Sequence, residues 1–145
     1  MKPARTLIPV VCDLSGAPDT PAERVDTYRR LFTDALIARE RTVAGIRFRF
    51  RNDPGIETRV RRVATLEQQC CAFFSFATTA TGGEVLLDVS TTDDDETARA
   101  VLDEFYDLPE HVAFDAATLQ ATYQAAGLTF AIDPSTIATS PRANP

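Results

Sequence analysis

The run Ile46-Arg47-Phe48-Arg49-Phe50-Arg51 alternates large apolar and charged residues without a slip. In an extended chain this period puts three apolar groups on one face and three arginines on the other. It is a half-buried strand, and the rest of the fold has to supply what covers its dry side.

Helix signals flank it. Thr20-Pro21-Ala22-Glu23 combines a capping threonine, a proline at the first helical position and a glutamate three residues past the cap. The predicted helix buries Val25, Tyr28, Phe32, Ala35 and Leu36, with Gly45 past its end. Asn52-Asp53-Pro54 predicts the start of a second helix, capped by Asp53, with Ile56, Val60, Val63 and Phe74 on its apolar face. Ser75 to Thr81 and Glu84 to Ser90 surround Gly82-Gly83, a two-residue hairpin signal. Val85, Leu87 and Val89 form the inner side of that hairpin.

Acidic residues from Asp93 to Glu96 open a third helix, where they offset the macrodipole. They lack the ligand spacing of a calcium loop. Ala98, Val101, Leu102 and Phe105 are its stripe, and Leu108-Pro109 breaks it. A fourth helix, capped by Asp115 and closed by Gly127, leads to a short strand at Leu128, Phe130 and Ile132. At the front, Ile8, Val10, Cys12 and Leu14 share one strand face, with Pro9 marking an edge. The expected order is β-α-β-α-β-β-α with a C-terminal αβ extension: an α+β two-layer sandwich, one domain over residues 1–132. Residues 133–145, rich in Pro, Ser, Thr and Ala, read as a mobile tail.

A chain of 145 residues with 44% hydrophobic content can build a proper core, and its net charge of −6 argues against nucleic-acid and membrane-surface partners. The arginines of residues 39–62 read as a solvated surface, with no reader motif beside them. Leu7 to Val11 is shorter than a signal-peptide core of roughly 7–15 residues, and no run approaches the roughly 20 apolar residues of a membrane span. A cytoplasmic location is the expectation. There, three cysteines read as metal-binding or reactive thiols before they read as a disulfide framework.

The second helix ends in Glu67-Gln68-Gln69-Cys70-Cys71-Ala72-Phe73-Phe74-Ser75-Phe76. At 100° per residue Glu67 falls in the middle of the buried stripe, and Cys70 and Cys71 straddle the same direction. A carboxylate there needs an answer, because an unpaired buried charge is costly. Either an arginine pairs with it or it belongs to a site with the two thiols, which stand at i+3 and i+4. Cys12 points inward on its strand, so three thiols and a carboxylate converge. Thiols near a helix C-terminus beside a glutamate are poor bare nucleophiles, whereas a metal deprotonates them outright. The predicted ligands are therefore Cys12, Cys70 and Cys71, for a thiophilic ion such as mercury, zinc or copper, and no organic cofactor is expected. A disulfide from Cys12 to either neighbour stays open as a redox switch. His111 reads as a surface loop residue.

The stretch from Glu67 to Phe76 resembles an E-x-x-C-C-P-F-F-x-F signature of small bacterial proteins, related domains of which are fused to regulators of the mercury-responsive MerR type. Cys12-Asp13-Leu14 belongs to the same pattern, and the resemblance spans roughly residues 8–106. It implies heavy-metal handling. The chain departs from it at Ala72, where proline is usual, which predicts a helix that runs further before breaking.

The leading expectation is a soft-metal-binding protein that serves resistance or sensing, its partner a metal ion or an organometallic small molecule. The alternative is an enzyme that cleaves a carbon–metal bond, with two thiols holding the metal and Glu67, raised by burial, donating the proton. A thiol-redox or interaction domain is the third.

Overall fold

A computed structural model describes residues 11–91, 95–113 and 115–131. In chain order the elements are β1 (Val11–Asp13), α1 (Pro21–Ala35), β2 (Leu36–Arg41), β3 (Gly45–Arg51), α2 (Ile56–Cys70) and β4 (Phe74–Ala80). These are followed by β5 (Glu84–Thr91), α3 (Glu96–Tyr106), α4 (Leu108–His111), α5 (Ala116–Ala125) and β6 (Thr129–Ala131). The fold is α+β. The predicted tail, Ile8, Val10, Ile132, Asp93 and Asp94 all lie outside the described residues.

Four strands form an antiparallel sheet in the order β2-β3-β5-β4. The alternation at residues 46–51 sets its register. Ile46 faces Val89, Phe48 faces Leu87 and Phe50 faces Val85, and all six are at most 1% exposed. Burying side chains of this size contributes about 2 kcal/mol each. Helices α1, α2 and α3 cover this face. The opposite face carries Arg47 paired with Asp88 at 2.8 Å and Arg49 paired with Glu84 at 2.7 Å. The Gly82-Gly83 hairpin closes as expected, with Thr81 N donating to Glu84 O at 2.8 Å.

Several local expectations need correction. The first helix stops at Ala35, and the chain pairs at once with β3 as the strand β2. Leu36, Ala38, Arg39, Glu40 and Arg41 are adequate helix formers, but the free edge of β3 offers a ladder of backbone partners that outweighs a weak local preference. The element order therefore gains a strand between the first helix and the strand at residues 46–51. A register irregularity between Leu36 and Ala38 turns Arg39 and Arg41 toward α3. There they lie over the Tyr106 ring at 4.8 and 4.4 Å.

Asp53 does not cap α2. The N-cap is Gly55, in the left-handed region at φ 86°, and Asp53 pairs with Arg51 instead. Phe74 is not on the helix either. It opens β4, where it is buried against Phe105, with ring centroids 6.1 Å apart. The helix also ends at Cys70 without a proline at residue 72. Cys71 leaves helical geometry at φ −118°, and Phe74 N closes a turn on Cys71 O at 3.1 Å.

The C-terminal extension folds back on the front of the chain. Asp115 caps α5 by accepting from Thr118 N, and Gly127 at φ 111° reverses the backbone, a conformation that favours glycine. Strand β6 then pairs in parallel with β1, Cys12 opposite Phe130. No helix among the described residues is long and apolar enough to cross a membrane.

Candidate thiol site

Three elements meet beside the sheet. Strand β1 brings Cys12, the end of α2 brings Glu67, Cys70 and Cys71, and α1 faces them with Arg24 and Tyr28. All three thiols are free, and they are buried at 6%, 4% and 6% exposure for Cys12, Cys70 and Cys71. Cys12 Sγ stands 2.9 Å from Cys71 Sγ across 59 residues of sequence. A disulfide needs about 2.05 Å, whereas two thiolates on one tetrahedral ion stand about 3.8 Å apart, from metal–sulfur bonds of about 2.3 Å. The observed gap lies between: a shift of about 1 Å either way reaches the disulfide or a tetrahedral ion, and an opening of about 1.7 Å reaches the linear arrangement of two thiolates on one ion.

The thiols form a chain. Cys70 lies close enough to Cys12 to influence its ionisation, Cys12 contacts Cys71, and Cys71 Sγ lies 3.6 Å from Glu67 Oε1. All three are held above the usual thiol value. For Cys12, a hydrogen bond from Cys70 favours the thiolate, but the Cys71 contact, burial and the charge on Glu67 together outweigh it. For Cys70 the Cys12 hydrogen bond raises it first and burial second. For Cys71 the Cys12 hydrogen bond lowers it, while burial and Glu67 raise it by more. At neutral pH these are protonated thiols, as their place at a helix C-terminus predicts.

Glu67 sits in the buried stripe as the wheel predicts, and an arginine answers it. Arg24 Nη1 donates to Glu67 Oε2 at 3.1 Å, and Tyr28 Oη donates to the same oxygen at 2.8 Å. Arg24 in turn holds Asp19 through two bonds of 2.6 and 2.7 Å. Burial works against the guanidinium charge, but Asp19 and Glu67 on either side keep it firmly protonated. Asp19 is correspondingly pulled below the usual carboxylate range by its hydrogen bond from Arg24. Both partners of Glu67 donate to it, and one is a cation, so its place is that of an acceptor that orients Cys71. The proton-donor role expected from burial alone does not follow from these partners.

Arg24, Tyr28 and Asp19 went unrecognised in the sequence. Arg24 and Tyr28 are four residues apart on one helix, so a polar residue sharing the face of a buried tyrosine was the available signal. His111 ends α4, half-buried, and lines neither of the hollows beside the thiols.

The thiols separate those two hollows. Cys70 opens onto a polar crevice with Asp13, Ser15, Gly16 and Gln69. Cys12 and Cys71, with Glu67, form the wall of an apolar cavity of about 120 Å³ beneath α3 and α5. Among the described residues no group of three or more His, Cys, Asp or Glu side chains is arranged to hold a metal ion. The three predicted ligands therefore come together as neighbours and not as a ready cage, with the close pair being Cys12 and Cys71.

No known family model, curated protein or solved structure matches the chain.

Proposed function

We propose that this protein captures a thiophilic dication of the mercury(II) class between Cys12 and Cys71. The observation that carries the reading is the 2.9 Å contact between two buried thiols brought together across 59 residues of sequence. Coordination chemistry narrows the ion. Zinc asks for four donors, whereas mercury(II) and copper(I) are satisfied by two thiolates. Two thiolates with a dication make a neutral complex, which suits a buried apolar setting, and two thiolates with copper(I) leave a net charge there. The thiols wait protonated, so binding exchanges two protons for the metal. Capture of this kind serves metal resistance by sequestration, or sensing.

Titrating mercury(II) into reduced protein tests this. The expected result is one ion per chain, with a sulfur-to-metal absorption band and two protons released near pH 7. Cys12→Ser or Cys71→Ser should abolish tight binding, and Cys70→Ser should retain it. Stoichiometric binding that survives in the Cys12→Ser/Cys71→Ser double variant would sink the reading.

The same contact favours a second reading, a dithiol that an oxidant of the disulfide class converts to a Cys12–Cys71 disulfide, with two electrons and two protons passing to the oxidant. Rapid, reversible formation of that bond by glutathione disulfide, without tight metal binding, would support it over the first.

A further inference from the structure

We infer that the thiol pair takes its soft metal as a monosubstituted organometal cation, with the organic group seated in the apolar cavity. This rests on the capture reading above and names its substrate class. A bare ion gives the cavity nothing to do. Its volume is about 120 Å³, its sulfur comes from Cys12 and Cys71, and its charged groups are Glu67 and Asp19, both held by Arg24. Most of the remaining lining is aromatic and aliphatic, among it Phe73, Val101, Phe105, Leu108, Leu119 and Leu128, each at most 7% exposed. Glu67 Oε2 is already committed to Arg24 and Tyr28, and Oε1 faces Cys71 Sγ at 3.6 Å, so the space has little to offer the hydration shell of an ion. Apolar cavities of roughly 150 Å³ stay dry and accept benzene. A short alkyl group or a single aryl ring is the matching size.

The arrangement also places the organic group. Cys70 faces the polar crevice and has no part in the apolar wall. A substituent lies only where Cys12 and Cys71 point.

The binding step balances without redox change. For an organometal R–M–X, the Cys71 S–H bond and the M–X bond break and the M–S bond forms. The thiol proton leaves with X as HX, and the carbon–metal bond is untouched. One thiolate and an R–M cation form a neutral adduct. Cys12, 2.9 Å from the Cys71 sulfur, keeps its proton.

The test uses the reduced full chain, inorganic mercury(II) and the methyl, ethyl, propyl and phenyl mercury(II) chlorides, each competed against free cysteine. Affinity relative to cysteine should rise about fourfold for each methylene, which is what burial of one such group provides. It should stay high for phenyl. Leu119→Phe, which takes up cavity volume at a residue that carries no metal-binding atom, should weaken the phenyl and propyl compounds at least tenfold relative to methyl and leave inorganic mercury(II) unchanged. The wild-type series stands alone should that variant not fold. Equal affinities across the series, with inorganic mercury(II) still bound, would overturn the inference and leave the capture reading intact. Failure of every compound, the inorganic ion included, would remove both.

Discussion

The four-stranded sheet and the thiol corner are built on opposite plans. The sheet's inner face is apolar and closed, and its register follows a two-residue period visible in the chain. The corner is held by two three-residue strands, one from each end of the described chain, and a half-buried polar series from Asp19 through Arg24 to Glu67. One region derives its stability from area removed from water, and the other has its geometry set by hydrogen bonds that each need a partner. A phenylalanine joins them: Phe105 lies 6.1 Å from both Tyr28 at the corner and Phe74, and 5.8 Å from Phe48 in the sheet. The frame can thus hold the thiols in place without any of its own strands carrying them.

That contrast can be broken by substitution. Phe48→Ala, at 1% exposure against Phe32 and Phe105, should cost about 4 kcal/mol, the range of large core truncations. Thermal melting should show a large fall, with the corner lost along with the sheet. Arg24→Leu tests the corner by itself. It strips Glu67 of its cation, at a cost of about 3 kcal/mol for a buried pair broken on one side. Adding Glu67→Leu should recover most of the loss in urea unfolding, because an apolar pair replaces a half-broken polar one. A double variant no more stable than the single would mean that Glu67 is not the residue left exposed to the penalty.

The thiols predict a pH dependence that the sheet lacks. Their usual value is 9.0, and in the folded chain all three lie above it. The folded state therefore keeps protons that the unfolded chain gives up. Their contribution is fully present below about pH 9 and is lost as pH rises beyond it. Between pH 8 and pH 10 wild type should lose about 1 kcal/mol more than Cys71→Ser, measured by urea unfolding at the two pH values. Asp19 acts at the other end. Its folded value is depressed below the usual 3.8, so its stabilisation is present above that pH and is lost as pH falls through the lower folded value. The smallest effect belongs to the open face of the sheet. Arg49→Ala removes a pair with Glu84 in which both side chains are about a third exposed, and the change should stay within about 0.5 kcal/mol.

Much of the frame was legible because its signals are local. The capping box at Thr20, the Asp115 cap and the Gly82-Gly83 hairpin each depend on residues a few positions apart. The misreadings came where a distant partner overrode local preference. Leu36 to Arg41 reads as helix until the edge of β3 is available to pair with it. Phe74 has the right spacing for the apolar face of α2, but the turn at Cys71 has already ended the helix.

For the site, the chain by itself determined that Glu67 lies in a buried stripe and that Cys70 and Cys71 follow it at a helix C-terminus, where a bare thiolate is disfavoured. Those statements need only 3.6 residues per turn. The tertiary structure decided which arginine answers Glu67, that Cys12 meets Cys71 more closely than a van der Waals contact, and that an apolar cavity opens behind that pair and not behind Cys70. No periodicity encodes these facts. The Arg24–Glu67 pair arises where α1 packs on α2. The Cys12–Cys71 contact arises where β1, paired in parallel with β6, lies beside the end of α2, so each joins residues dozens of positions apart.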